Sequence, residues 1–183
     1  MAIRQMSEDL EEEEFVAARV MEKLNTENDS VLKNRIKICD GRLPKGAPTT
    51  FLNNAKLVKL IMTWWKEAMK NPASWKCKET DESIYRFLNN YFSAYKEVFE
   101  EAWDNRKYVL TKTMGFDIIF SICNQLTLNA VNISGVSKLP GKEEFVMILR
   151  QVFFTEDVSG NIVPVEILLD GENPVPFNWE SSI

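Results

Sequence analysis

The sequence predicts a mainly α fold, a single-domain helical bundle of about five helices with an extended, β-prone C-terminal segment. Three observations carry that expectation. Apolar residues recur at steps of three and four through most of the first 155 positions. Glycine and proline are gathered into a few short stretches between those runs. After the turn signal SGN at 159–161 the pattern changes to IVPVEILL, with Pro164, Pro174 and Pro176 arguing against further regular structure. A chain of 183 residues can bury one core but not two comfortable ones. The expected organisation is therefore a helical domain over 1–155 and an extended segment over 156–183, packed on it or trailing from it.

The elements follow in order. Ser7 is placed to cap a first helix, with Glu8, Asp9 and Glu11 near the positive end of its dipole. Leu10, Val16, Val20, Met21 and Leu24 keep helical spacing until NTENDS (25–30) stops it. VLKNRIKI (31–38) suits strand or helix, and CDGRLPKGAPTT (39–50) is a loop. Thr49 or Thr50 should cap a long helix from Phe51, whose seam runs through Ala55, Val58, Met62, Trp65 and Met69; Leu57, Leu60, Ile61, Trp64 and Ala68 widen that face. NPASWKCKET (71–80) is a loop ending at a cap, Thr80 or Asp81. Ile84, Leu88, Tyr91, Tyr95, Phe99 and Ala102 then draw a second seam. A third apolar helix is expected through Leu126, a loop over NISGVSKLPG (132–141), and a shorter helix in KEEFVMILRQVFF.

Composition narrows function by exclusion. The chain has no histidine, which removes Ser-His and Cys-His nucleophile pairs and most zinc or iron sites. No catalytic residue, metal ligand or cofactor is assigned, and a non-enzymatic role is expected. A net charge of −5 gives no global attraction to nucleic acid. Cys39, Cys77 and Cys123 have no framework spacing, which fits reduced thiols in a cytoplasmic protein. The N-terminus turns acidic where a signal peptide would be apolar, and no run of about twenty apolar residues suggests a membrane span.

Several local features carry candidate chemistry. Lys56, Lys59, Lys66 and Lys70 share one stripe of the long helix and could track a DNA backbone, or simply face water. Arg106, Lys107 and Lys112 form a second basic cluster. The stretch LTKTMGF (110–116) is not a phosphate-binding P-loop, because its single glycine follows Lys112 and Thr113 instead of preceding them. Thr111 or Thr113 capping a helix, with Gly115 allowing close approach, is the simpler reading; an anion contact by Lys112 is the alternative. EEEE (11–14) reads as a solvated face. Glu166 with Asp170 is too generic to define a metal-nuclease site. Trp64, Trp65, Tyr91, Phe92, Tyr95 and Trp103 could stack bases but at helical spacing read as core.

Three stretches, taken together, resemble the C-terminal part of the DGQHR-domain proteins, a group that includes the DndB-like regulators of DNA phosphorothioation systems. They are FVAARVMEKLNTENDSVLKNRIKI, the helix ending in WWKEAM, and NYFSAYKEVFEEAWDNRKYVLTKTMGFDIIF, spanning roughly residues 15–126. The departure is equally informative. The family's Asp-Gly-Gln-His-Arg motif belongs to an N-terminal portion said to resemble the ParB/sulfiredoxin fold, and here only Asp40-Gly41-Arg42 appears, without Gln-His. The resemblance implies the helical part of such a protein, serving DNA-modification or bacterial defence machinery. The implied partners are DNA backbone or other proteins of the system. The alternative, from another class, is a protein–protein dimerisation module without nucleic-acid binding, in which exposed aromatics and the acidic first helix form the partner surface.

Overall fold

The computed structural model describes residues 2–38, 52–70, 80–105, 107–134, 139–167 and 175–176. Six helices account for most of them: α1 (Ala2–Thr26), α2 (Asn54–Met69), α3 (Asp81–Val98), the single turn α4 (Glu100–Trp103), α5 (Thr113–Ser134) and α6 (Lys142–Phe153). The principal helix packings run in a cycle, α1 on α2, α2 on α5, α5 on α6, α6 on α3 and α3 back on α1. A mainly α bundle is what the periodicity predicts, and the aromatic side chains of α3 fill the middle of the ring.

α3 begins as its sequence says it should. Thr80 has extended backbone and its side chain accepts from the Ser83 amide, with Asp81 and Glu82 in the first turn. All six residues of the expected seam are buried, but the helix ends at Val98, so Phe99 is its C-cap and Ala102 falls in α4. Phe87 lies parallel to Trp64 of α2 at 5.3 Å and meets Phe145 of α6 edge-on at 5.4 Å. Tyr91 meets the same Phe145 at 5.0 Å and donates its hydroxyl to the Ile119 carbonyl of α5 at 2.8 Å. Phe92 reaches Phe116 and Phe120 of α5. The suspected base-stacking residues are therefore core: Trp64, Tyr91, Phe92, Tyr95 and Trp103 are buried, and Trp65 is half-buried against them.

Other boundaries differ from the expectations. α1 already starts at Ala2, so Ser7 lies inside the helix and Glu8, Asp9 and Glu11 lie beyond its first turn. Ala2 to Met6 contains no helix breaker, and nothing local forces a start at Ser7. α2 starts three residues later than expected. Its cap is Asn53, whose side chain accepts from Lys56 N–H. Leu52–Asn53 forms a strand, β2, paired in parallel with β1, Ile36–Lys37. Thr49, Thr50 and Phe51 lie outside the described residues. The buried line of α2 is Leu57, Ile61, Trp64 and Ala68, while Val58, Met62, Trp65 and Met69 flank it and Ala55 is exposed. The two lines sit side by side on one apolar face, and packing against α1 and α5 chooses between them. α5 runs past Leu126 to Ser134, taking in Asn132 to Ser134 of the expected loop. No glycine or proline falls between Leu126 and Gly135 to stop it.

The ambiguous segment after α1 resolves into a turn over residues 31–34 leading to β1. Asn34 takes a left-handed conformation, φ 59°, which asparagine tolerates better than most residues. Its amide donates to the Asn25 carbonyl, and the Asn25 side chain accepts from Ile36 N–H, fixing the exit of α1.

The C-terminal segment is more regular than its prolines suggest. β3 (Phe154–Glu156) and β4 (Ile162–Pro164) form an antiparallel hairpin, and β5 (Glu166–Ile167) pairs antiparallel with β6 (Val175–Pro176). Pro164 and Pro176 end their strands, where a missing N–H costs least; Pro174 lies outside the described residues. The hairpin is tied to the bundle where Phe99 contacts both Phe153 and Phe154. Gly160, at φ +81°, closes the turn.

Asp157 accepts from Ser159 N–H and from both the backbone and side chain of Asn161. The bonds from Asn161 are the main reason its carboxyl titrates below its ordinary 3.8. A lowered folded-state pKa means the contribution of Asp157 is fully present above 3.8 and is lost as pH falls through the folded value. NMR titration should therefore show the hairpin amides of Ser159 and Asn161 moving with a midpoint below 3.8, and Asp157→Ala should abolish that transition.

Gly115 has a steric reason to be glycine. A Cβ there would sit 2.2 Å from the Val109 carbonyl oxygen and 2.3 Å from that of Leu110. Both are backbone atoms that cannot swing away. Gly115→Ala is expected to destabilise the chain by about 3 kcal/mol, the upper end of overpacking costs, measured by urea unfolding.

Candidate functional site

The four stripe lysines do not act as one free positive face. Lys56 reaches α5, where its ammonium meets Asp117 at 2.5 Å; Lys66 reaches α1 and Glu13 at 3.0 Å; Lys70 pairs with Glu67 of its own helix at 2.5 Å. Lys59 is exposed, and among the described residues no carboxylate pairs with it. Sequence spacing placed these residues on one side of α2 correctly. It could not reveal that flanking helices supply acids on both edges of that side. Glu13, from the run EEEE, is one of those acids; Glu12 and Glu14 are exposed.

The second basic cluster divides. Lys107 lies over the Tyr108 ring at 5.7 Å, and Lys112 is exposed just ahead of α5, accepting from Phe116 N–H through its carbonyl. Arg106 lies outside the described residues. Thr111 is buried and Thr113 is the first helical residue of α5. Gly115 packs against the preceding turn as the close-approach reading requires.

Nucleophile candidates are few. Cys123 is wholly buried on α5, and burial pushes its thiol well above the ordinary cysteine range. Cys39, Cys77 and Asp170 lie outside the described residues, as does the Asp40–Arg42 stretch. Among the described residues no group of three or more histidine, cysteine, aspartate or glutamate side chains could hold a metal ion. No helix among them is long and apolar enough to cross a membrane.

One feature escaped the sequence reading. A polar cleft of about 480 Å³ opens between the turn after α1 and the outer face of α3. Glu27 and Asp29 line one wall; Glu82, Tyr85, Arg86, Asn89 and Asn90 line the other. Asn89 is buried and holds the walls together, donating to the Asp29 carbonyl at 3.0 Å and accepting from Val31 N–H at 3.1 Å. Tyr85 donates its hydroxyl to the Asp29 carboxylate at 2.5 Å, and burial followed by that bond raises the phenol well above its ordinary value. Glu82 is held below its usual range by Lys23 first and Arg86 second. NTENDS read only as a helix stop and DESIYRFLNN only as a helix start. Their union into a cleft depends on α1 packing against α3.

Comparison with family models, curated proteins and solved structures finds no match to this chain.

The ion pairs that occupy the stripe are exposed or half-exposed, so each is worth little. A double-mutant cycle with Lys56→Ala and Asp117→Ala should return a coupling below about 1 kcal/mol, shrinking with added salt. A larger, salt-independent coupling would mean the pair is structural and Lys56 unavailable to any ligand.

Proposed function

We propose that this chain is a non-enzymatic helical domain of a DGQHR/DndB-like protein in DNA-modification or defence machinery, and that it works there by self-assembly. The observation that carries the assembly reading is the start of α5. Met114 is 65% exposed and Ile118 41%, one helical turn apart at the start of α5, beside the polar Thr113 and Ser121. A second copy meeting the same surface across a two-fold axis would cover both residues.

The pairing of Lys56, Lys66 and Lys70 with carboxylates supports assembly over DNA contact, since a phosphate would have to displace those acids. The absence of histidine and the buried, high-pKa thiol of Cys123 support a role without chemistry of its own. The place in DNA-modification machinery rests on the resemblance of residues 15–126 alone.

Light scattering across a concentration series, with duplex DNA titrated at two salt concentrations in parallel, tests the reading. The mass is expected to rise toward a dimer, and Met114→Lys with Ile118→Lys should weaken association by about tenfold or more while helicity is unchanged. A strict monomer overturns the assembly reading. If that monomer binds DNA in a salt-sensitive way that Lys59→Glu weakens, backbone contact through the lysine stripe takes its place.

A further inference from the structure

A second surface, away from α5, has the character of a peptide site. The polar cleft beside α3 adjoins a second cavity of about 310 Å³ on the other flank of the same helix, lined by Phe87, Leu139 and Pro140 with Ser83, Gly141 and Glu144, whose carboxylate is taken up by the Gly141 amide. Arg86 and Asn90, one helical turn apart, line both cavities and form the ridge between them. The two cavities therefore make one groove that crosses α3, acidic at one end and apolar at the other.

The charge at the acidic end is cancelled only in part, Glu27, Asp29 and Glu82 meeting the two cations Lys23 and Arg86. Glu82 is matched by Lys23 and Arg86, but among the described residues no cation pairs with Glu27 or Asp29. Lys23 acts on Glu27 and Arg86 on Asp29 only at longer range, and Asn89 and Tyr85 hold Asp29 in place. On the ridge, the side-chain amide of Asn90 makes no hydrogen bond among the described residues. A primary amide in that position offers one acceptor and two donors, the complement of a passing peptide unit.

We propose that this groove binds an extended peptide segment of a partner protein, with an arginine or lysine in the Glu27–Asp29 end, its backbone on Asn90, and an apolar side chain against Phe87, Leu139 and Pro140. The width of one helix, about 10 Å, sets the spacing: at about 3.3 Å per extended residue the basic and apolar positions fall about three residues apart. The polar end supplies specificity for charge, and the apolar end supplies buried area. The site is separate from the self-association surface on α5 and stands or falls independently of it.

Selection of a phage-displayed random heptapeptide library against the full chain tests the proposal. The expected result is enrichment of peptides carrying arginine or lysine about three residues from leucine, isoleucine, methionine or phenylalanine. Measured by fluorescence polarisation, those peptides should bind at least about tenfold more weakly to Glu27→Lys and to Asn90→Ala. Both positions lie at the surface of the cleft, and unchanged thermal melting would confirm that each variant is folded; if one is not, the other carries the test. The same peptides should bind the Met114→Lys, Ile118→Lys variant as they bind the native chain, which separates this site from the assembly surface. No enrichment above background, enriched peptides without the basic–apolar pair, or equal affinity for the groove variants overturns the proposal.

Discussion

Tyr91 stands where α3, α5 and α6 meet, fully buried, and its hydroxyl is aimed across the helix interface. A phenol taken out of water must keep a hydrogen bond, and the Ile119 carbonyl of α5 supplies it. That requirement fixes the height of α5 against α3. The Tyr91 ring then touches Phe87, Phe92, Tyr95 and Phe145, so one polar contact sets the register of an aromatic cluster. Trp64 joins it through Phe87, and α2 is placed in turn.

The junction also determines what each surface can do. With α5 pinned by Tyr91 and by the close passage at Gly115, Phe116 turns into the core while Met114 and Ile118 are carried outward. With α2 packed between α1 and α5, the lysines on either edge find acids on those two neighbours, Glu13 and Asp117. A basic stripe in sequence thereby becomes a nearly neutral surface in the fold. α6 packs on α3 through Phe145, with Lys142 and Arg150 converging on Glu97 at the surface. That leaves the outer face of α3 open between α1 and α6, and both cavities lie there.

What the sequence determined by itself is local. Thr80 followed by two acids specifies a helix start, and the seam from Ile84 to Tyr95 specifies its buried face, because capping and amphipathic periodicity act within a few residues. Gly115 was legible as a close-approach residue for the same reason, its obstacle lying in the turn just before it. Where the local signal was degenerate, only the tertiary structure decided. Ser7 is as good inside a helix as at its end when nothing upstream breaks the pattern. Asn53 caps α2 where β2, paired in parallel with a strand some sixteen residues earlier, gives way to helix, and such pairing leaves no mark at Thr49 or Thr50. The partners of Lys56 and Lys66, and the cleft formed by Asp29 and Asn89, join segments about sixty residues apart. Periodicity tells which face of a helix turns inward; it does not tell which helix lies beside it, and the candidate sites of this protein are made of that adjacency.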